Sequence, residues 1–194
     1  ILLVVFSVTM VPPILVAVVF DEPLLVFLRA FGITFTFGTT LWVLFSRSRA
    51  DMRTKEGFLI TVFFYIALGS FGAVPFIDDK GLGLSIPDGL FESFSGLTTT
   101  GATVIQGLDQ MPKSILYYRQ QLQWLGGIGI VVIALVILPF LRIGGMQLFH
   151  LEGDDPYEKF LPKISSVVSK IIIVYVALTL LLTILYFFKR DDFI

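Results

Sequence analysis

From Ser93 to Val104 the chain reads Ser-Phe-Ser-Gly-Leu-Thr-Thr-Thr-Gly-Ala-Thr-Val, a charge-free run crowded with hydroxyls and interrupted by glycine. A non-helical strand turns successive backbone carbonyls away from helical partners, and threonine adds a hydroxyl beside each. Oxygens in such a row replace the hydration shell of a monovalent cation, which is the chemistry of a selectivity filter. Thr98, Thr99, Thr100 and Gly101 are the candidates for this role, with Gly101 supplying backbone dihedrals that side-chain-bearing residues avoid. The plainer reading of the same run is a polar external loop packed over helix ends, and the strand by itself weighs evenly between the two.

The residues just upstream must position that strand. Pro87 and Asp88 stand where a helix would begin, a proline early and an acid near the positive dipole end. Leu90, Phe91, Phe94 and Leu97 follow at helical spacing, predicting a helix of about ten residues. At ~1.5 Å per residue it covers ~15 Å, half the ~30 Å of hydrocarbon in a bilayer, so it predicts a re-entrant element. Entering from outside, it aims its partly negative C-terminal end toward the membrane centre. Asp21, Glu22, Asp78, Asp79, Asp88, Glu92 and Asp109 outnumber Lys80, Lys113, Arg29 and Arg119 around the entrance, a weak attraction for cations. Glu92, in the first turns of the short helix, reads more simply as a dipole or hydrogen-bond partner.

The rest of the chain explains why membrane depth is the relevant setting. Its 194 residues are 56% hydrophobic and only 15% charged, with mean hydropathy +0.90. Uncharged runs at 1–20, 30–46, 57–77, 120–141 and 171–188 each match one bilayer crossing, so five spanning helices are expected, at about 2–20, 24–45, 57–77, 114–141 and 164–188. Pro12-Pro13 fall inside the first, which is expected to be a kinked span and not a cleaved signal peptide, since no basic stretch precedes it. Asp21-Glu22-Pro23 is too short a connection for anything but an antiparallel hairpin. The loop 46–56 carries Arg47, Arg49, Arg53 and Lys55 and is expected on the cytoplasmic side, which puts 78–113 outside and 142–163 inside. The chain is expected to be cut at both ends. A net charge of −1, with no basic stripe, excludes a nucleic-acid surface, and zero cysteines with a lone His150 exclude thiolate and His/Cys zinc sites.

Three blocks in order carry a family resemblance: Phe91-Glu92-Ser93-Phe94-Ser95-Gly96-Leu97-Thr98-Thr99-Thr100-Gly101-Ala102-Thr103, then Leu122-Gln123-Trp124-Leu125-Gly126-Gly127-Ile128-Gly129-Ile130, then Gly144-Gly145-Met146-Gln147-Leu148. Together they resemble the TrkH branch of the Trk/Ktr/HKT potassium transporter superfamily. The resemblance implies an all-α membrane protein: an N-terminal hairpin with its basic loop over 1–56, a helix, pore-loop, helix repeat over 57–141, a cytoplasmic linker over 142–163, and the first helix of a second repeat over 164–194. It implies potassium as the ion held by Thr98, Thr99, Thr100 and Gly101, with no organic cofactor. It further implies plasma-membrane lipid as surroundings, cytosolic nucleotide-binding TrkA-type subunits as regulators, and a homodimer of the full-length protein. One filter strand is a quarter of a pseudo-fourfold filter, so the chain is not expected to conduct alone.

A second reading is a non-conducting membrane scaffold or anchoring subunit, in which the carbonyls of Thr98 to Gly101 are bonded within the protein. A membrane enzyme is disfavoured, because its spans would need convergent titratable residues. Gly126, Gly127 and Gly129 read as packing positions that seat the short helix. Tyr117, Tyr118, Arg119 and Trp124 read as interfacial anchors without chemistry. His150, Glu152, Asp154, Asp155 and Glu158 read as a solvated connection, or a docking surface for the regulatory subunits.

Overall fold

A computed structural model describes residues 2–46, 54–137 and 156–189, which form two compact units, 1–127 and 128–194. Every described regular element is helical. The first crossing is broken in two, α1 (Leu2–Val8) and α2 (Val11–Val19). The break follows from Pro12 and Pro13, which cannot donate to the carbonyls one turn back. The Thr9 and Met10 amides turn instead to Phe6 and Ser7 at 3.0 Å, tightening the chain before α2 resumes.

α2 ends with Asp21 in the left-handed region (φ 55°), where its short polar side chain is tolerated. The Glu22 amide reaches back to the Ala17 carbonyl at 2.8 Å and the Asp21 amide to Val18 at 3.4 Å, closing the helix end. The chain reverses at once into α3 (Leu25–Phe45), as so short a connection requires. α3 buries Phe27, Ala30, Thr34 and Gly38, spaced along one face. A side chain at Gly38 would lie 2.9 Å from the Val4 amide and 3.0 Å from Leu3 Cβ, so glycine is what lets the hairpin arms close.

α4 (Thr54–Gly72) and α5 (Val74–Asp78) form a second broken crossing, interrupted just before Pro75. α6 (Ile86–Leu97) is the short helix, one residue earlier at its start than the Pro87–Asp88 signal suggests. Ser85 is its N-cap: the Ser85 amide donates to Asp88 Oδ2 at 3.1 Å and the Asp88 amide to Ser85 Oγ at 3.4 Å, a reciprocal capping box. A 3-10 turn (Leu108–Gln110) precedes α7 (Lys113–Ile137). Phe6, Met10, Phe27, Phe76, Leu97, Ile115, Tyr118 and Leu122 make the core of the first unit. Tyr118 sits between Phe27 and Phe76, with ring centroids 5.6 and 5.4 Å away.

In the second unit, α8 (Pro156–Lys189) is one helix of 34 residues containing the crossing expected over 164–188. Four described stretches are long and apolar enough to cross a bilayer: Leu2–Val19, Leu25–Phe45, Thr61–Asp78 and Ser166–Lys189. α7 lies where the crossing is expected over 114–141, with Arg119, Gln120, Gln121 and Gln123 in its first half and a charge-free run from Trp124 to Ile137 after them. The basic loop at 47–53, the block Gly144–Leu148 and His150, Glu152, Asp154 and Asp155 lie outside the described residues.

Candidate functional site

α6 is wedged between two helices by close approaches at small residues. A side chain at Gly69 of α4 would run into the Phe94 ring, and one at Gly72 would meet Ser93 Oγ at 2.6 Å. From the other side, Gly96 lies where a Cβ would touch Leu122 Cβ at 3.0 Å, and Gly126 of α7 abuts the Leu97 carbonyl. This is the seating role expected of Gly126. The C-terminal end of α6 is thus fixed on both flanks, by its Ser93 and Phe94 side chains against α4 glycines and by its Leu97 backbone against Gly126.

At Thr98 the helix stops and the chain climbs back along it. Its amides stay on the helix side: Thr98 donates to Phe94 O at 2.9 Å, Thr99 to Gly96 O at 2.9 Å, and Thr100 and Gly101 both to Ser95 O at 3.0 and 3.3 Å. Ser95 Oγ donates to the Ala102 carbonyl at 2.6 Å. Among the described residues, no hydrogen bond reaches the carbonyl oxygens of Thr98, Thr99, Thr100 or Gly101. All four residues are exposed. The strand therefore spends its donors on α6 and keeps a run of four acceptors unspent.

Two left-handed residues produce this alternation. Gly101 has φ 74°, as its type invites, but Thr99 has φ 57°, which a β-branched side chain resists. Strain of that kind persists only where surrounding contacts over-determine it, and it gathers at functional sites. The Thr98 hydroxyl donates to Phe94 O at 2.8 Å and lies 2.8 Å from the Thr100 hydroxyl, so these two side chains hold each other as well as lining the strand.

The upper part of the strand is tied by charge. Glu92 is 1% exposed and its Oε1 accepts from Thr103 Oγ1 at 2.5 Å and from the Val104 amide at 2.7 Å. Its Oε2 accepts from Arg119 Nε at 2.8 Å, and Arg119 is itself buried. The Thr103 hydroxyl in turn accepts from the Ile105 amide at 3.1 Å. Glu92 is accordingly a hydrogen-bond hub, and Arg119 is its counter-ion, not an interfacial anchor. An ionisable residue on a half-membrane helix requires a partner of opposite charge, a signal in the sequence that the reading of Arg119 as an anchor passed over. Tyr118 is likewise no interfacial anchor: it is fully buried and donates to the Gly72 carbonyl at 2.9 Å, at the α4–α5 break.

The acids around the entrance divide on inspection. Glu22 accepts from the Lys113 and Ser114 amides at 2.6 and 2.8 Å and from Ser114 Oγ at 2.5 Å, capping α7 from the turn between α2 and α3. Burial alone would raise its carboxyl pKa, but the Ser114 hydroxyl and amide, the Lys113 amide and the Lys113 charge outweigh it and hold the pKa below the ordinary value. Asp78 pairs with Arg29 at 3.2 Å, Asp79 accepts from the Gly81 amide at 2.8 Å, and Asp88 is in the capping box. Only Asp21 and Asp109 of the seven have no such partner among the described residues, so the acids serve mainly as structural acceptors.

Residues 24–192 match the family model described as "TrkH: Cation transport protein". The chain is similar to the Trk system potassium uptake protein TrkH of Halomonas elongata, at 46% identity over 95% of this chain and 39% of that one. It is similar to the protein of the same name from Escherichia coli K12, at 44% identity over 98% of this chain and 40% of that one. Its fold is similar to the crystal structure of the potassium transporter TrkH from Vibrio parahaemolyticus, with TM-score 0.78 and 42% identity, covering 92% of this chain and 36% of that one. The chain thus spans about two fifths of the length of the curated relatives it matches.

Proposed function

Because this chain belongs to the TrkH cation transport family, we propose that it supplies one filter strand, Thr98–Gly101, to a pore through which potassium enters the cell. It is an all-helical, multi-pass protein of the bacterial inner membrane. The observation that carries the transport reading is the asymmetry of the strand: amides 98–101 are bonded to α6 while the carbonyls of the same residues are left for another partner. At membrane depth unbonded carbonyls are costly unless water or a cation meets them.

The scaffold reading required those carbonyls to be bonded within the protein, and among the described residues they are not. The relatives are named as transport proteins, and ion passage needs no covalent chemistry. Transport asks only that dehydration be matched by oxygens held at the right spacing. Four such strands around one axis complete the site in this reading, with three from further repeats. Cytosolic TrkA-type subunits then gate the pore from inside, and the full-length protein works as a homodimer.

The test is Gly101→Val in the intact protein, expressed in cells that lack other potassium uptake systems. Valine at φ 74° is strained by about 1–2 kcal/mol, so potassium uptake or its preference over sodium falls. Unchanged uptake with unchanged preference sinks the assignment.

A further inference from the structure

We propose that Glu92, braced by Arg119, is the positioning residue that fixes the height of the strand on α6 and thereby sets its discrimination between potassium and sodium. The inference rests on the reading of Thr98–Gly101 as a filter. Three levels of attachment hold the strand. At the bottom, the Thr98 and Thr99 amides use the last free carbonyls of α6, as any helix end would. In the middle, Ser95 takes the Thr100 and Gly101 amides and gives its hydroxyl to Ala102. At the top, a single carboxylate oxygen gathers Thr103 and Val104.

Remove the top level and the strand keeps only the neutral bonds of its own amides and of Ser95, with no hydrogen bond among the described residues tying it to α6 beyond Ala102. The carbonyls of residues 98–101 then follow the ion, closing around a smaller one as readily as a larger one. With both ends fixed, the oxygens stay at one spacing, and an ion too small to touch them all is under-coordinated. Selectivity of this kind depends on the stiffness of the strand's attachments, not only on its sequence.

The charge has a reason as well. Charge-assisted bonds are stronger than neutral ones, and Oε1 receives two of them from adjacent residues. A buried carboxylate is stable only with its charge answered, which Arg119 does through Oε2 at 2.8 Å. Glutamine at 92 keeps an acceptor for Thr103 and Val104 but, in the same orientation, turns an N–H toward Arg119 Nε, another N–H.

The experiment compares potassium and sodium uptake by the intact protein and its Glu92→Gln and Thr103→Val variants, in cells without other potassium systems, with the amount of protein in the membrane measured alongside. Thr103 is exposed and valine matches its shape, so this variant folds and carries the test if Glu92→Gln does not. Losing bonds to a charged group lowers the potassium-over-sodium ratio about tenfold in Glu92→Gln, with a smaller fall in Thr103→Val. The apparent KM for potassium rises while the maximal rate per molecule changes less. Less protein in the membrane with an unchanged ion ratio overturns the inference and leaves the filter reading intact. No potassium uptake by the unaltered protein overturns the filter reading and this inference with it.

Discussion

Gly126 of α7 lies against the carbonyl of Leu97, the last residue of α6, so closely that a methyl group would overlap the oxygen. The obstacle is backbone and cannot swing aside. Gly126→Ala is therefore expected to push the two helices apart at a cost of about 1–3 kcal/mol, and because Thr98 follows Leu97 directly, the shift enters the strand. With Thr98–Gly101 proposed as a filter strand, the expected outcome is a fall in potassium uptake per molecule of the intact protein. Gly32→Ala on α3, where a Cβ meets nothing within 4 Å, is the matched control and leaves uptake unchanged.

Lowering the pH should loosen the start of α7 through Glu22. Its carboxyl is held below the ordinary pKa in the folded protein, so its contribution is fully present above the unfolded value, about 4.3, and is lost as pH falls through the lower folded one. Thermal unfolding in detergent between about pH 3 and 6 should show a drop at the acid end that is smaller in Glu22→Gln. Near neutral pH, Glu22→Ala loses about 1 kcal/mol, the usual cost of a helix cap. Parallel pH curves for the unaltered protein and Glu22→Gln would rule this out.

Tyr118→Phe keeps the ring between Phe27 and Phe76 and removes only the hydroxyl that meets the Gly72 carbonyl. A buried acceptor left without its donor costs about 1–3 kcal/mol. The melting temperature should fall accordingly, while Tyr117→Phe, on the exposed side of the same helix turn, should not move it.

Gln121 Nε2 donates at 2.5 Å to the Thr9 carbonyl, whose normal helical donor would be the amide of residue 13, a proline. The two positions should be coupled. Gln121→Met is expected to cost about 1 kcal/mol in the unaltered protein and distinctly less once Pro13→Ala restores an amide for Thr9. A double-mutant cycle on thermal stability measures the difference, and additive effects would contradict the assignment.

Hydrophobic runs, prolines and short connections were legible because their causes are local. The break at Pro12-Pro13, the tight turn at Asp21-Glu22-Pro23 and the short helix before Thr98 each follow from residues adjacent in sequence. The strand was legible as a composition, but not which of its backbone groups are spent. That depends on Thr99 adopting φ 57°, which its β-branched type argues against. Arg119 and Tyr118 were misread for a different reason. Near the end of an apolar span, Tyr-Tyr-Arg has the look of an interfacial belt, and only the arrival of Glu92 and Gly72 from other helices shows that it faces inward. The acids of the entrance were likewise counted as a field, whereas Glu22 and Glu92 each collect three specific donors.

α7 answers carbonyls that two earlier broken crossings leave over: Thr9 through Gln121 and Gly72 through Tyr118. In the order of synthesis, both broken segments emerge from the ribosome well before those side chains exist. Until α7 is inserted, each kink holds an acceptor with no protein donor, in surroundings that offer little water. The bends in α1–α2 and α4–α5 are thus completed only by a later helix, which makes insertion of α7 the step that commits the earlier crossings to their final shape.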